Sequence, residues 1–135
     1  MKKVLLLSAG SPCRAIMAES ILKKYVDESF DIDFVGAGLE GNSTINENTM
    51  KILIEEGIDV TKLTPKILED VEDFDFDLVL TICSHSKEMC PKFTRVTPTI
   101  HMEFPIIDNE DEATCKALAE KIRTKVKPII LKSIQ

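Results

Sequence analysis

The sequence predicts a single α/β domain in which four parallel strands form one sheet flanked by helices. Two observations favour this fold class. The runs Val4–Leu7 and Leu78–Ile82 are almost entirely apolar, as is typical of strands buried on both faces of a parallel sheet. Strand-like and helix-like segments also alternate along the chain, which is the order that places helices against such a sheet. The 135 residues fit one domain, spanning 1–135, that buries about two thirds of its unfolded surface.

The first strand leads through a short Ser/Gly/Pro turn into a helix. The residues that predict the buried face of this helix are Ile16, Met17, Ile21 and Leu22. Residues 31–35 then alternate polar and apolar side chains, which is typical of a half-buried strand. We expect Gly36-Ala37-Gly38 to end this strand.

A second helix is predicted between Asn46 and Glu56. Asn46 can cap its start, and Gly57 can cap its end. The residues expected to share its apolar face are Met50, Leu53 and Ile54.

The middle of the chain predicts a short helix followed by the second buried strand. The helix spans about Pro65 to Val71, since proline is well tolerated in the first turn of a helix. The strand Leu78–Ile82 then delivers Cys83 to the carboxyl edge of the sheet, where open α/β folds bind their ligands.

A last strand and a long terminal helix complete the predicted fold. The strand covers Thr99–Met102 and the helix Glu110–Ile134, in which Pro128 should produce a kink. The residues predicted to face inward are Ala117, Leu118, Ile122, Val126, Ile129 and Ile130.

The composition excludes several classes of protein. A formal charge of −6 and a pI near 5.0 argue against a nucleic-acid partner or an anionic membrane surface, because both would be repelled. The basic start of the chain is followed by only a short apolar stretch and no cleavage site, so we expect a cytoplasmic protein. Four cysteines without a secretion signal indicate thiols instead of a disulfide framework, and their spacing predicts no metal site.

The turn after the first strand has the chemistry of an anion-binding loop. Unpaired backbone N–H groups at a helix start attract an anion, together with the positive end of the helix dipole. An arginine at this place can bind two oxygens of the anion at once. We therefore expect a tetrahedral oxyanion in a loop made of Ser8, Ala9, Gly10, Ser11, Pro12, Cys13 and Arg14.

The spacing Ser8-x5-Arg14 resembles the Cys-x5-Arg loop of the low-molecular-weight protein tyrosine phosphatases. The chain is more similar still to the thioredoxin-coupled arsenate reductases that share that fold. Further matching segments are Gly36-Ala37-Gly38, Asn46, Glu56–Val60, Thr64, Asp77–Cys83, Cys90-Pro91 and His101–Phe104. The resemblance implies the phosphatase-like fold, binding of arsenate or phosphate, and thioredoxin as a reductant, with no bound cofactor.

Ser8 stands where the resembling families have their nucleophilic cysteine. A serine hydroxyl cannot replace the thiolate unaided, because its pKa is far higher and the loop holds no histidine or lysine as a base. We therefore expect Ser8 to bind the oxyanion without attacking it. Either the serine is a deliberate replacement that traps a ligand, or the native gene encodes it.

Other positions favour a natural divergence from phosphatase chemistry. Pro12 and Ala15 replace residues that are polar in the family, and Ile106 occupies the position of the general-acid aspartate. One engineered substitution would have left all of these positions intact. Asp108 could serve as the acid only if its loop were rearranged.

Cys83 and Cys90 form a second candidate site. In the arsenate reductases, two cysteines at this separation form a disulfide that thioredoxin reduces. A regular helix between them would hold the two Cα atoms about 10 Å apart, whereas a disulfide requires about 7 Å or less. The polar segment 84–88 would have to unwind for the bridge to form. The alternative is two ordinary cysteines, and the family context favours the redox pair.

The other cysteines and His101 are expected to be structural. The resemblance implies that Cys13 faces the core instead of the anion, and Cys115 is interpreted as a small core residue of the last helix. Glu19 and Thr64 match positions that brace the loop in some relatives. Gly36 and Lys66 depart from that polar set, which argues against a bound potassium and leaves Lys66 to take the place of the ion.

Three functions follow from these patterns. The first is an arsenate-reductase-like protein in which full turnover requires a cysteine at position 8. The second is a non-catalytic module that binds an oxyanion or senses redox state through the cysteine pair. The third is a tyrosine phosphatase, which the missing aspartate and the scarcity of aromatic residues disfavour.

Overall fold

A computed structural model describes residues 2–8, 13–26, 28–38, 47–63, 66–71, 73–83, 97–103 and 112–133. Its centre is a four-stranded sheet made of β1 (Lys2–Ser8), β2 (Ile32–Gly38), β3 (Leu78–Cys83) and β4 (Thr99–Glu103). Every neighbouring pair is parallel, and the spatial order is β2-β1-β3-β4. The predicted fold class is confirmed.

β2 is longer than the alternating pattern predicts. We expected Gly36-Ala37-Gly38 to end the strand, but these residues continue it opposite Leu6, Leu7 and Ser8 of β1. The expectation was wrong because glycine has a low intrinsic preference for strands, and hydrogen bonding to the central strand outweighs that preference here.

The two faces of the sheet carry separate apolar clusters. Val4 and Leu6 of β1 belong to the larger cluster, which includes buried residues of every helix longer than one turn. Leu5 and Leu7 point to the other face, where they pack with Val71, Phe76 and Val79. These four β1 residues are all fully buried, as predicted for a central parallel strand.

Two helices follow β1 and β2. Helix α1 (Cys13–Tyr25) packs against β1 and β2. The four residues predicted for its inner face are all buried, namely Ile16, Met17, Ile21 and Leu22. Helix α2 (Glu47–Glu55) ends at a glycine cap. Gly57 has φ +80°, its N–H donates to the carbonyl of Ile54, and the Ile58 N–H donates to that of Leu53, as in a Schellman motif. The predicted cap is confirmed.

The inner face of α2 differs from the prediction, since Leu53 is the one buried residue of the three predicted and Met50 is half-buried. Thr49, Ile52 and Leu53 are buried, whereas Ile54 is 58% exposed. Each residue turns about 100° around a helix, so Ile54 lies well outside the stripe defined by the other three. The predicted N-cap, Asn46, lies outside the described residues.

The short helix α3 (Leu68–Val71) begins later than expected. Ile67 is not helical and forms a parallel bridge with Gly38. The Asp70 carboxylate accepts a hydrogen bond from the Ile67 N–H at 3.0 Å, which caps the start of the helix. Pro65 lies outside the described residues.

The terminal helix is interrupted by a π-helical turn. It consists of α4 (Glu112–Lys121), the π turn Ile122–Val126 and α5 (Lys127–Ser133). The Lys127 N–H donates to the carbonyl of Ile122, five residues earlier. The change of hydrogen-bond pattern thus comes just before Pro128, whose ring lacks the N–H that a continuous α-helix would use.

The buried stripe of this helix follows helical spacing. It contains Cys115, Leu118, Ala119, Ile122, Val126 and Ile130, which confirms the prediction that Cys115 is a core residue. Ala117 is exposed and Ile129 only half-buried, so their predicted inward orientation was wrong. Ala117 lies about 100° around the helix from Leu118, on the side away from Cys115 and Ala119, and therefore faces solvent.

A polar network joins α1 to α2 and to the π turn. The Tyr25 hydroxyl donates to the Glu56 carboxylate at 2.6 Å, and the same carboxylate forms an ion pair with Arg123. The guanidinium of Arg123 lies 5.7 Å from the centre of the Tyr25 ring. The hydrogen bond to Glu56 raises the pKa of Tyr25 above its usual 10.0, because it stabilises the protonated phenol.

The helices of the described part of the chain are too short or too polar to cross a membrane.

Candidate functional site

Ser8 is the last residue of the central strand and is completely buried. In the register of the sheet it lies between Gly38 of β2 and Ile82 of β3. Its position is therefore the carboxyl edge of β1, with a strand on either side. This is the edge at which parallel α/β sheets hold their ligands.

A glycine in β2 lets the first turn of α1 approach this edge. A Cβ added at Gly36 would lie 2.5 Å from the carbonyl oxygen of Ala15 and 3.3 Å from the Cβ of Glu19. The first distance is shorter than real Cβ contacts and involves a backbone atom, so a side chain at this position would force the backbone to shift. Gly36 lies only two residues before the end of β2. The contact therefore places the start of α1 beside the end of the strand.

Arg14 is the second residue of α1 and precedes Ala15 directly. Its side chain is half-buried. Among the carboxylates of the described ranges, none forms an ion pair with Arg14. The described carboxylates therefore leave its charge and its five N–H donors for an anion.

Cys83 ends β3 at the same edge of the sheet. It follows Ile82, which pairs with Ser8, and its own partner in β4 is Glu103. The structure thus brings the backbone of residues 8 and 83 to the carboxyl ends of adjacent strands, as the sequence predicts. The side chain of Cys83 is outside the described part of the structure.

Several predicted site residues lie outside the described ranges, and their roles stay predictions. Those of the anion loop are Ala9, Gly10, Ser11 and Pro12. The others are Thr64, Cys90, Ile106 and Asp108. The side chain of Cys13 is likewise not described, so its orientation toward the core stays a prediction.

One polar contact near the edge is not apparent from the sequence. Thr81 and His101 are direct neighbours in the register of β3 and β4. The Thr81 hydroxyl lies 2.9 Å from Nδ1 of His101, and Thr81 is almost fully buried. This agrees with the structural role expected for His101. The pair could have been found only with the register of the two strands, because the residues are 20 positions apart.

Glu19 and Lys66 line one surface groove beside α1. Glu19 is 7% exposed, and its carboxylate forms an ion pair with Lys23 at 3.5 Å. Gly36, which departs from the polar set of the relatives, has no side chain to offer toward this region. Whether Lys66 takes the place of a potassium ion stays a prediction.

Comparisons with known proteins agree with this geometry. Arsenate reductase 1 of Bacillus cereus is 29% identical to this chain over 127 residues, which cover 93% of this chain and 92% of the relative. An arsenate reductase from Archaeoglobus fulgidus has a similar structure, with a TM-score of 0.80, 24% identity and coverage of 94% of this chain and 98% of that protein. An arsenate reductase solved in the phosphate-binding state has a TM-score of 0.78, 22% identity and coverage of 98% of both chains.

The two similar structures show the fold, and a match to the sequence model of a family shows the family. The sequence model described as low molecular weight phosphotyrosine protein phosphatase matches residues 3–104. This span contains Ser8, Arg14 and all of the sheet except the first residue of β1. Because the match covers well over half of the sequence, the chain belongs to the low molecular weight phosphotyrosine protein phosphatase family.

Proposed function

We propose that this protein binds arsenate or phosphate in the loop from Ser8 to Arg14, in the manner of an arsenate reductase. The relatives named arsenate reductase cover nearly the whole chain. One structural neighbour is described as an arsenate reductase in the phosphate-binding state, which supports a tetrahedral oxyanion as the ligand.

The contact between Gly36 and Ala15 is the observation that carries this proposal. It draws the N-terminal turn of α1 against the end of β2, next to the strand that ends at Ser8. N–H groups at a helix start have no intrahelical acceptors and carry the positive end of the helix dipole. Together with the half-buried Arg14, they supply hydrogen-bond donors and positive charge at the edge where Ser8 ends β1.

With serine at position 8, we expect the protein to bind the oxyanion without reducing it. In the proposed role, the Ser8 hydroxyl occupies the attack position and contributes a hydrogen bond to the oxyanion. The sequence of the loop holds no histidine or lysine as a base, so the hydroxyl is expected to keep its proton and to form no bond to arsenic. Full turnover is therefore expected only when residue 8 is cysteine.

With a cysteine at position 8, the proposed reaction passes two electrons from thiols to arsenate. Arsenate is reduced to arsenite, one of its oxygens leaves as water, and the two thiol protons go to that water. The thiols of Cys83 and Cys90 end as a disulfide, which thioredoxin reduces by thiol–disulfide exchange. A neighbour described as a thioredoxin-dependent arsenate reductase supports this choice of reductant.

A second function is favoured by Ser8 itself. A chain that keeps the anion loop but has lost the nucleophile could act as an oxyanion-binding or redox-sensing protein. Ile106 at the general-acid position is consistent with that function and argues against phosphatase activity. Titration calorimetry with arsenate, with the cysteine pair reduced and then oxidised, distinguishes a redox sensor from a simple binder, since only the sensor changes its affinity.

A thioredoxin-coupled arsenate reduction assay tests the proposal. The unaltered chain should bind arsenate by calorimetry but give no turnover, Ser8→Cys should give turnover, and Ser8→Cys with Cys83→Ser should lose it again. Ser8→Ala is the matched control and should stay inactive. Turnover by the unaltered chain would refute the role of Ser8, and absence of arsenate binding would refute the oxyanion site. Binding without turnover by Ser8→Cys would favour the second function.

A further inference from the structure

A groove of about 450 Å³ lies between α1 and the turn that follows α2. On one side it is lined by Ser20, Lys23 and Lys24 of α1, and on the other by Ile58 and Leu63. Lys24 lies ten residues beyond Arg14, which corresponds to about 15 Å along the helix axis. The Lys24 end of the groove is therefore distant from Arg14. The Lys66 end lies nearer the sheet edge, because the Lys66 carbonyl accepts a hydrogen bond from the Gly38 N–H and Gly38 pairs with Ser8.

Three lysines give this groove a local excess of positive charge. Lys23, Lys24 and Lys66 all line it, whereas Glu19 is the one carboxylate among its described lining residues. Glu19 is already paired with Lys23. In a chain whose formal charge is −6, such a concentration of ammonium groups in one concave surface favours an anionic ligand.

The backbone of the α2 turn makes room for one of these lysines. A Cβ added at Gly57 would lie 3.0 Å from Nζ of Lys24. The ammonium group thus lies close to the backbone of the turn, where the glycine has no side chain. The same Nζ lies 5.5 Å from the centre of the Tyr25 ring, which restricts the lysine from a second side.

Ser20 adds an unused hydrogen-bonding group. The residue is 6% exposed, and its Oγ has no hydrogen-bond partner within the described ranges. A buried hydroxyl without a partner is unfavourable in a folded protein. The Oγ is enclosed by its neighbours, so a ligand in the groove can supply the missing acceptor only when the side chains that cover it move aside.

The opposite wall is apolar. Ile58 and Leu63 are half-buried and pack against the main core cluster. The volume of the groove lies in the range of sites for small molecules, which are typically about 300–1,000 Å³. The complementary ligand therefore has an anionic group at one end and a short apolar body at the other.

We propose that this groove is a second binding site, which takes a small organic phosphate or phosphonate dianion through Lys23, Lys24, Lys66 and the Ser20 hydroxyl. The apolar body of the ligand rests against Ile58 and Leu63. Lys23 and Lys24 lie more than two helical turns beyond Arg14, so the site does not require the oxyanion loop to be occupied.

Titration with phenylphosphonate, followed by amide chemical shifts in NMR, tests the site. The Gly57 and Ile58 amides should shift and saturate. Replacing the three groove lysines by glutamine should weaken this binding at least fivefold, and Ser20→Ala at least twofold. Inorganic phosphate, which lacks the apolar body, should bind the groove at least threefold more weakly than phenylphosphonate.

Two matched variants distinguish binding in the groove from a general effect of net charge and from binding at the oxyanion loop. Replacing three exposed lysines elsewhere, Lys2, Lys125 and Lys132, by glutamine makes the same change in net charge and should alter the affinity less than twofold. Arg14→Ala should leave the groove shifts unchanged. No saturation at Gly57 and Ile58, equal losses in both lysine triples, or loss of the shifts in Arg14→Ala would each overturn the proposal.

Discussion

Gly36 of β2 and Ala15 of α1 are in backbone contact: a Cβ added at Gly36 would lie 2.5 Å from the carbonyl oxygen of Ala15. The atom in the way belongs to the backbone of a buried helical turn, so no side-chain rotation can relieve the collision. A residue larger than glycine at position 36 would therefore have to move α1 away from the sheet beside the candidate oxyanion site.

We expect Gly36→Ala to lower the free energy of unfolding by about 2–3 kcal/mol, which is the upper part of the usual cost of overpacking. Chemical denaturation measures the change. The matched test is the double variant with Ala15→Gly, which removes the Ala15 side chain but leaves its carbonyl in place. If the collision is with the backbone, the second substitution will not restore stability, and a rescued double variant would show that the side chain was the obstacle.

Arg14→Lys should weaken arsenate binding about tenfold or more. Lysine keeps the charge but cannot form two parallel hydrogen bonds to one oxyanion, and a hydrogen bond to a charged group contributes about 1.5–3 kcal/mol. Titration calorimetry gives the affinity. Arg123→Lys changes an arginine far along the chain and should leave arsenate affinity within twofold of the original value. Equal losses in the two variants would show that Arg14 has no specific role.

The ionisation of Tyr25 should report its hydrogen bond to Glu56. The chain has one tyrosine and no tryptophan, so the ultraviolet absorbance of tyrosinate follows this residue alone. We expect a pKa above 10.0, which falls in Glu56→Gln because the carboxylate that holds the proton is gone. Glu55→Gln, a neighbouring exposed carboxylate, should leave the pKa of Tyr25 unchanged.

The sign of the linked stability follows from the direction of that shift. A pKa raised on folding means that the native state holds the Tyr25 proton more tightly than the unfolded state. The stabilisation is therefore fully present below pH 10 and is lost as the pH rises through the raised pKa of the folded protein. Because Tyr25 is 37% exposed, solvent screening keeps the effect small. Stability that increased across this range would contradict the assignment.

Ser20→Ala should stabilise the free protein by up to about 1 kcal/mol, because it removes a buried hydroxyl that lacks a hydrogen-bond partner within the described ranges. Thermal or chemical unfolding without added anions measures this. Ser133→Ala is the control, since the Ser133 hydroxyl donates to the Ile129 carbonyl at an exposed site. Its stability should change by less than about 0.5 kcal/mol. A loss of stability in Ser20→Ala would show that the hydroxyl is satisfied in solution.

The errors in the sequence interpretation all concern tertiary contacts. Ile54 and Ala117 are apolar, so a pattern of residue types assigns them to the core, yet both face solvent. The helices that carry them pack against α1 and against each other through other residues. Gly36-Ala37-Gly38 has poor strand propensity, yet it is held in β2 by pairing with β1. The strand propensity of a segment gives no information about a partner strand that lies about thirty positions earlier in the sequence.

The sequence by itself determined the fold class, the buried strands β1 and β3, the glycine cap of α2 and the family resemblance. Each of these follows from residue type and local spacing, since a continuous apolar run or a left-handed cap needs no distant partner to be recognised. Only the tertiary structure decided the strand order, the contact between Gly36 and Ala15 and the groove beside α1. These features depend on which backbone surfaces meet across the fold. The need for glycine at position 36, for example, follows only from the Ala15 carbonyl that lies where a Cβ would be.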